Sequence, residues 1–224
     1  MGEPARWQQR VEEFILGQIG DPAARVLEVG CGEGELARAM VRAGHSVTAI
    51  DPRAPDGPIF RRVTIEEFSD PTRFDHVVAS LSLHHVEDLG IVLDKIASLL
   101  HAGGTLVVVE FAWDRIDRAT AEWALERLPA ASHSGTSSWL MRCCQGERCT
   151  AEWAAAQGFH SSRQMRNELE LRFDERLFEW VPYLYPDLDE GTSEADESML
   201  IEAGDINATG FCYVGTRTPE RTDV

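Results

Sequence analysis

The chain has 224 residues, 43% of them hydrophobic and 26% charged, with a formal net charge of -17 at pH 7. That length and composition suit one α/β domain with a sizeable core and exclude a disordered chain. The acidic charge works against a nucleic-acid backbone or an anionic membrane surface as partner, and no run of 18 apolar residues offers a membrane span.

Residues 3–19 predict a helix with Trp7, Val11, Phe14, Ile15 and Ile19 on one face. The apolar run Val26, Leu27 and Val29 predicts a strand covered on both sides. Gly30, Gly32 and Gly34 follow as a tight turn, and a helix opens at Glu35 with Leu36, Met40 and Val41 on one stripe. The N-terminus of that helix then points at whatever sits over the glycines. A dinucleotide fingerprint needs its third glycine where Glu35 stands. Glu33 and Glu35 also put carboxylates where a pyrophosphate favours positive potential.

Residues 45–51 predict a second strand ending in Asp51, 17 residues after Gly34. A carboxylate at that strand end accepts hydrogen bonds from ribose hydroxyls. Residues 52–58 form a loop, residues 59–65 a short third strand, and residues 76–81 a fourth strand, followed by His84 and His85. Residues 89–100 predict a helix with Ile91, Val92, Ile96, Leu99 and Leu100 apolar, and residues 103–111 a fifth strand that carries Glu110 near its end. Residues 112–146 break the strand-helix rhythm and hold Trp113, Trp123, His133, Trp139 and Met141. Those tryptophans either wall an apolar pocket or pack a local core. A helix over 150–159 takes Thr150 as N-cap and Gly158 as C-cap. A strand-like region lies within 161–173, the aromatic stretch 177–188 is unassigned, and 187–205 holds eight acids and no base, as a solvated excursion would. Residues 208–217 predict the final strand.

Two stretches carry a family resemblance. Glu28-x-Gly30-x-Gly32-x-Gly34 resembles the first motif of class I S-adenosylmethionine-dependent methyltransferases. The run F-D-x-V followed by L-H-H-V-x-D, from Phe74 to Asp88, resembles the fourth-strand region of their small-molecule members, and L-x-x-G-G-x-L-x-x-x-E, ending at Glu110, has the same family look. The resemblance implies a Rossmann-like α/β fold. Its seven-stranded, mostly parallel sheet has the last strand antiparallel and lies within three α/β/α layers. It also implies a single domain over 1–224 with a cover helix at 3–19, a substrate-lid insertion at 112–149 and an acidic excursion at 187–205.

By the same resemblance the cofactor is S-adenosyl-L-methionine. It is held by Glu28, Gly30, Cys31 and Gly32 at the turn, by Asp51 and Pro52, by Ile65 and Glu66 at the adenine, and by Ser80 and Leu81. Glu110, Trp113, His133 and Trp139 are the expected substrate residues, with Glu110 alternatively orienting a histidine. A positioned histidine takes the acceptor's proton at near-neutral pH. His84 is the first choice and His85 the second, although such a pair can also simply pack or cap the next helix.

The expected partner is a small-molecule substrate, for a monomer or homodimer with no nucleic acid or membrane. Five cysteines at irregular spacings make no disulfide framework, so a reducing, cytoplasmic location is the default. Cys143, Cys144 and Cys149 lack the C-x2-C pairing of structural zinc, and the acids of 187–205 lack calcium-loop spacing, so no metal is expected. Two alternatives stand beside this reading. One is a nicotinamide-dependent oxidoreductase, which Glu35 disfavours. The other is a non-catalytic S-adenosylmethionine-binding protein, which the intact Glu28, Gly30, Gly32 and Asp51 disfavour.

Overall fold

The computed structural model describes residues 3–20, 23–129, 140 and 147–217. Its strands are β1 (Arg25–Val29), β2 (Ser46–Ile50), β3 (Phe60–Arg61), β4 (Phe74–Ser80), β5 (Leu100–Phe111), β6 (Phe173–Val181) and β7 (Gly210–Arg217). They form one sheet in the order β3-β2-β1-β4-β5-β7-β6. β7 runs antiparallel to both of its neighbours, β5 and β6, while the other pairings are parallel. This is the Rossmann-like α/β sheet that the resemblance implies. Its helices are α1 (Glu3–Ile19), α2 (Glu35–Arg42), α3 (Leu89–Leu99), α4 (Arg118–Glu126), α5 (Glu147–Gln157), α6 (Ser162–Glu170) and α7 (Glu194–Ala203).

Alternation along the strands divides the core. Leu27 and Val29 of β1, Val77 and Ala79 of β4, and Leu106 and Val108 of β5 share one face with Leu93 and Ile96 of α3 and Met165 of α6. Val26, Val78, Val107 and Val109 share the other with Ile15 of α1 and Met40 of α2. Each fully buried aliphatic side chain stabilises the fold by about 1.5–3 kcal/mol. The parallel strands are buried on both faces, which is why they read as continuous apolar runs. A third cluster joins Phe111, Trp123, Ala124 and Leu128 to Leu184, Leu188 and Ile206. Trp123 therefore packs the insertion's own core.

Tertiary packing overrides several local expectations. The third strand is two residues, not seven, and its remainder turns away with Ile65 buried. Residues 162–170 form α6 rather than a strand, opened by a capping box in which Ser161 and Gln164 satisfy each other's backbone. α5 begins three residues before Thr150, so Thr150 is not its N-cap. The fifth strand starts at Leu100, which ends the preceding helix early. Val41 and Ile91 are exposed, and the buried face of α2 is Ala37, Ala39 and Met40. Among the described residues, no helix is long and apolar enough to cross a membrane.

Candidate active site

Val29 pairs in register with Ile50 of β2 and with Ala79 of β4, so the three strands finish level. The chain leaves β1 toward β2 on one side, and β4 lies on the other. That reversal opens a crevice at the strands' carboxyl ends, where α/β sheets bind ligands. Two cavities adjoin there and share Gly30, Gly32 and Leu81. The larger, of about 860 Å³, runs over the ends of β1 and β2 to the turn after β4. The smaller, of about 310 Å³, lies between the glycine turn and α1.

The glycines are needed for close approach. Gly30 has φ 76°, and a Cβ there would sit 2.4 Å from Ser82 Cβ. Gly34 has φ 79°, and a Cβ there would sit 2.4 Å from the Phe60 ring. α1 roofs the smaller cavity with Trp7, Gln8, Val11 and Glu12. It is held by a hydrogen bond from Gln8 to Glu35 and, half a turn on, by an Arg10–Glu194 ion pair. Trp7 also meets Tyr183 edge-on at 5.4 Å.

Glu28, Cys31 and Ser80 line the smaller cavity, while Asp51, Pro52, Ile65 and Glu66 line the larger. Asp51 accepts the Gly32 N–H at 3.1 Å and the Arg53 N–H at 2.7 Å, which ties the glycine turn to the end of β2. Glu28 is 3% exposed, and its Oε2 has no hydrogen-bond partner among the described residues. Burial pushes its carboxyl up to about 8, with Asp51 adding to the rise and a hydrogen bond with the Ala37 backbone opposing it. Burial and the nearby Glu28 and Asp51 push the Cys31 thiol up to about 12, so it is no nucleophile at neutral pH.

The two histidines divide in space. Residues 83–85 make one tight helical turn, which aims the adjacent rings differently. His84 is 5% exposed and lines neither cavity. Its Nδ1 lies 2.6 Å from Glu110 Oε2. His85 lines the larger cavity, its ring centroid 4.0 Å from that of His84 and 4.6 Å from that of Phe159. Its pKa is lowered by burial, by His84 and by Arg53, against an opposing pull from Glu110. Of the two candidate bases, His85 is the imidazole on the cleft, while His84 is turned to Glu110.

Glu110, one of the expected substrate residues, is fully buried and lines neither cavity. Its Oε1 accepts the N–H groups of Ser82 at 2.7 Å and Leu83 at 2.5 Å, and its Oε2 accepts that of Phe111 at 3.1 Å. One carboxyl group thus pins the whole turn that carries both histidines. Trp113, another expected substrate residue, lines a separate cavity of about 420 Å³, and its Nε1 donates to the His160 carbonyl at 3.0 Å. His133, Trp139, Cys143 and Cys144 lie outside the described residues, as does the Cys149 side chain. Among the described residues, no cluster of histidine, cysteine or carboxylate side chains could hold a metal ion.

Sequence reading missed Arg53 and Ser82. Arg53 stands two residues after Asp51, and Ser82 lies between the β4 end and the histidine turn, so both occur within motif neighbourhoods already singled out.

Residues 3–145 match the family model of a methyltransferase domain. An uncharacterized methyltransferase of Mycobacterium tuberculosis is 38% identical over 101 residues, covering 38% of this chain and 50% of its own. A ubiquinone biosynthesis O-methyltransferase of Bradyrhizobium sp. is 34% identical over 126 residues, covering 49% of this chain and 50% of its own. The chain spans about half the length of the curated relatives it matches. The crystal structure of the N-methyltransferase NodS from Bradyrhizobium japonicum in complex with S-adenosylhomocysteine superposes with a TM-score of 0.56. It covers 97% of this chain and 89% of its own at 15% identity, a likeness of fold. The family model spans the glycine turn, Asp51, the histidine turn and Glu110 alike, and the chain belongs to the methyltransferase-domain family.

Proposed function

We propose that this chain transfers the methyl group of S-adenosyl-L-methionine to a small-molecule acceptor, with His85 as general base. The observation that carries the reading is the convergence on one crevice of the glycine turn, Asp51 at the β2 end and the His85 imidazole. The residues present fit the cofactor. The lone Oε2 of Glu28, buried beside the smaller cavity, suits an ammonium group. Asp51 stands where ribose hydroxyls are accepted, and Ile65 supplies an apolar wall for the base. The smaller cavity is lined by Glu12, Glu28, Glu33 and Glu35 and by no cation, which suits a sulfonium and opposes the pyrophosphate of a nicotinamide dinucleotide. When bound, the cofactor supplies an electrophilic methyl group on a positively charged sulfur.

The chain's own residues align the reactants and manage the proton. Trp7 and its helix cover the methionine end and exclude water. Burial and its neighbours keep His85 neutral at pH 7, ready to accept a proton from an O–H or N–H nucleophile. Glu110 holds His84 and the turn beneath His85, as a positioning residue. A cavity of about 860 Å³ accommodates a small organic acceptor beside the nucleoside.

Calorimetry with S-adenosylmethionine, S-adenosylhomocysteine and NAD tests the cofactor, and transfer of a labelled methyl group to a metabolite extract tests the reaction. Binding of NAD alone sinks the reading. Tight S-adenosylmethionine binding with no transfer to any acceptor would make the chain a binding protein instead.

A further inference from the structure

We infer that His160 is a positioning residue for His85, holding by its carbonyls the turn that Glu110 holds by its N–H groups. This deepens, and rests on, the methyl-transfer reading in which His85 takes the acceptor's proton. The turn over residues 83–85 is closed by two long bonds. The His85 N–H meets the Ser82 carbonyl at 3.3 Å, and the Val86 N–H meets the Leu83 carbonyl at 3.4 Å. Both lie beyond the usual N–H···O range of about 2.7–3.2 Å. A turn so weakly closed takes its position from what grips it outside.

Glu110 takes the leading N–H groups, those of Ser82 and Leu83. The trailing carbonyls need donors of their own. His160 supplies two. Its backbone N–H donates to the His84 carbonyl at 3.0 Å, and its Nε2 lies 2.8 Å from the Val86 carbonyl. A carbonyl only accepts, so Nε2 carries the proton of that bond. The two bonds straddle His85, one residue to either side.

His160 is itself fixed. Gly158 follows α5 in the left-handed conformation with φ 71°, and the Phe159 N–H returns to the Ala154 carbonyl at 2.9 Å. Ser161 then opens α6 with its capping box. Trp113 Nε1 donates to the His160 carbonyl, and Asp114 accepts the Ser162 N–H at 2.7 Å. A helix stop and a helix start thus leave Phe159 and His160 little freedom. The Phe159 ring stands edge-on to both imidazoles, 5.0 Å from His84 and 4.6 Å from His85. His160 lines neither cavity of the crevice, so it acts through His85 rather than on a ligand.

The test compares the parent with His160→Ala and His160→Gln as full chains. Calorimetry with S-adenosylhomocysteine comes first, and both variants should bind it as the parent does. A parent that fails to bind it, or that binds it and methylates nothing in a metabolite extract, refutes the methyl-transfer reading, and the next measurement then decides the clamp alone. That measurement is the NMR titration of the His85 ring, assigned with His85→Gln, which needs no acceptor. In the parent its midpoint lies below 6.5. His160→Ala frees the turn and should move the midpoint toward 6.5, while His160→Gln, whose amide still donates to the Val86 carbonyl, should stay with the parent. Labelled-methyl transfer to the extract at saturating S-adenosylmethionine should fall by about 10–100-fold in His160→Ala and be largely rescued in His160→Gln. A His85 titration unmoved by His160→Ala overturns the inference. So does an undiminished rate, a loss in His160→Gln as deep as in His160→Ala, or a rate that falls only in step with melting temperature and cofactor binding.

Discussion

Glu28 offers a direct measure of how far the crevice is built for a cation. Its carboxyl is pushed from an ordinary 4.5 to about 8. That interval corresponds to about 5 kcal/mol against the ionised form in the folded chain. The folded pKa lies above the unfolded one. Glu28's contribution to stability is therefore fully present below pH 4.5 and is lost as pH rises toward about 8. The fall is about 1.4 kcal/mol per pH unit and reaches about 3 kcal/mol at pH 7.

Glu28→Gln cannot ionise and lacks this slope. The other titrating groups are the same in both proteins and cancel in the difference. The stability of the variant relative to the parent is expected to rise by about 3 kcal/mol between pH 4.5 and 7, and to level off above about pH 8. For a chain of this size that is about 6–12 °C in melting temperature. Paired thermal and urea denaturation at pH 5, 6, 7 and 8 reads it. Saturating S-adenosylhomocysteine should narrow the gap, because its ammonium gives the ionised carboxylate a partner. A gap that does not change with pH would refute burial of an unpartnered carboxyl at this position.

Three further outcomes follow from the same geometry. His85→Gln should lower kcat by about 10²–10⁴-fold while S-adenosylhomocysteine affinity is retained. In the parent, kcat/KM should climb with pH along a limb centred below the ordinary histidine value of 6.5, since the lowered pKa leaves the base neutral earlier. A limb centred above 6.5, or one that survives the substitution, would count against His85. Glu110→Gln turns one of two buried acceptor oxygens into a donor facing N–H groups. It should destabilise the fold by about 2–5 kcal/mol in urea denaturation, and an undiminished midpoint would remove Glu110 as the pin of the turn. Gly30→Ala must displace Ser82 and hold a left-handed backbone, which costs about 1–2 kcal/mol before any clash. A lower melting temperature together with weaker S-adenosylhomocysteine binding by calorimetry is expected.

The cofactor half of the site was legible because its parts are local. A strand, three glycines and a helix start are written within Val26–Leu36, and Asp51 follows at the end of the next strand. The capping box at Ser161 and Gln164 was equally local and could have revealed α6. The short β3 could not be read so, because Phe60 is held by contact with the glycine turn rather than by strand periodicity.

Roles that depend on which neighbour arrives from elsewhere were decided by the fold. His84 and His85 are adjacent and chemically identical, yet Glu110, 26 residues from His84 in sequence, claims one of them and leaves the other to the cleft. The acidic run 187–205 reads in sequence as a solvated, partly helical excursion, and Glu194–Ala203 is indeed a helix. Within it Glu197 is fully buried and accepts the backbone N–H groups of Tyr183, Leu184 and Tyr185, against which α1 packs. The sequence by itself therefore determined the sheet, its glycine turn and the carboxylates on it, since hydrophobic period and turn chemistry act over a few residues. Only the tertiary structure decided which histidine meets the crevice and which acids are buried. Desolvation and pairing depend on chain segments distant in sequence, and a linear pattern does not encode them.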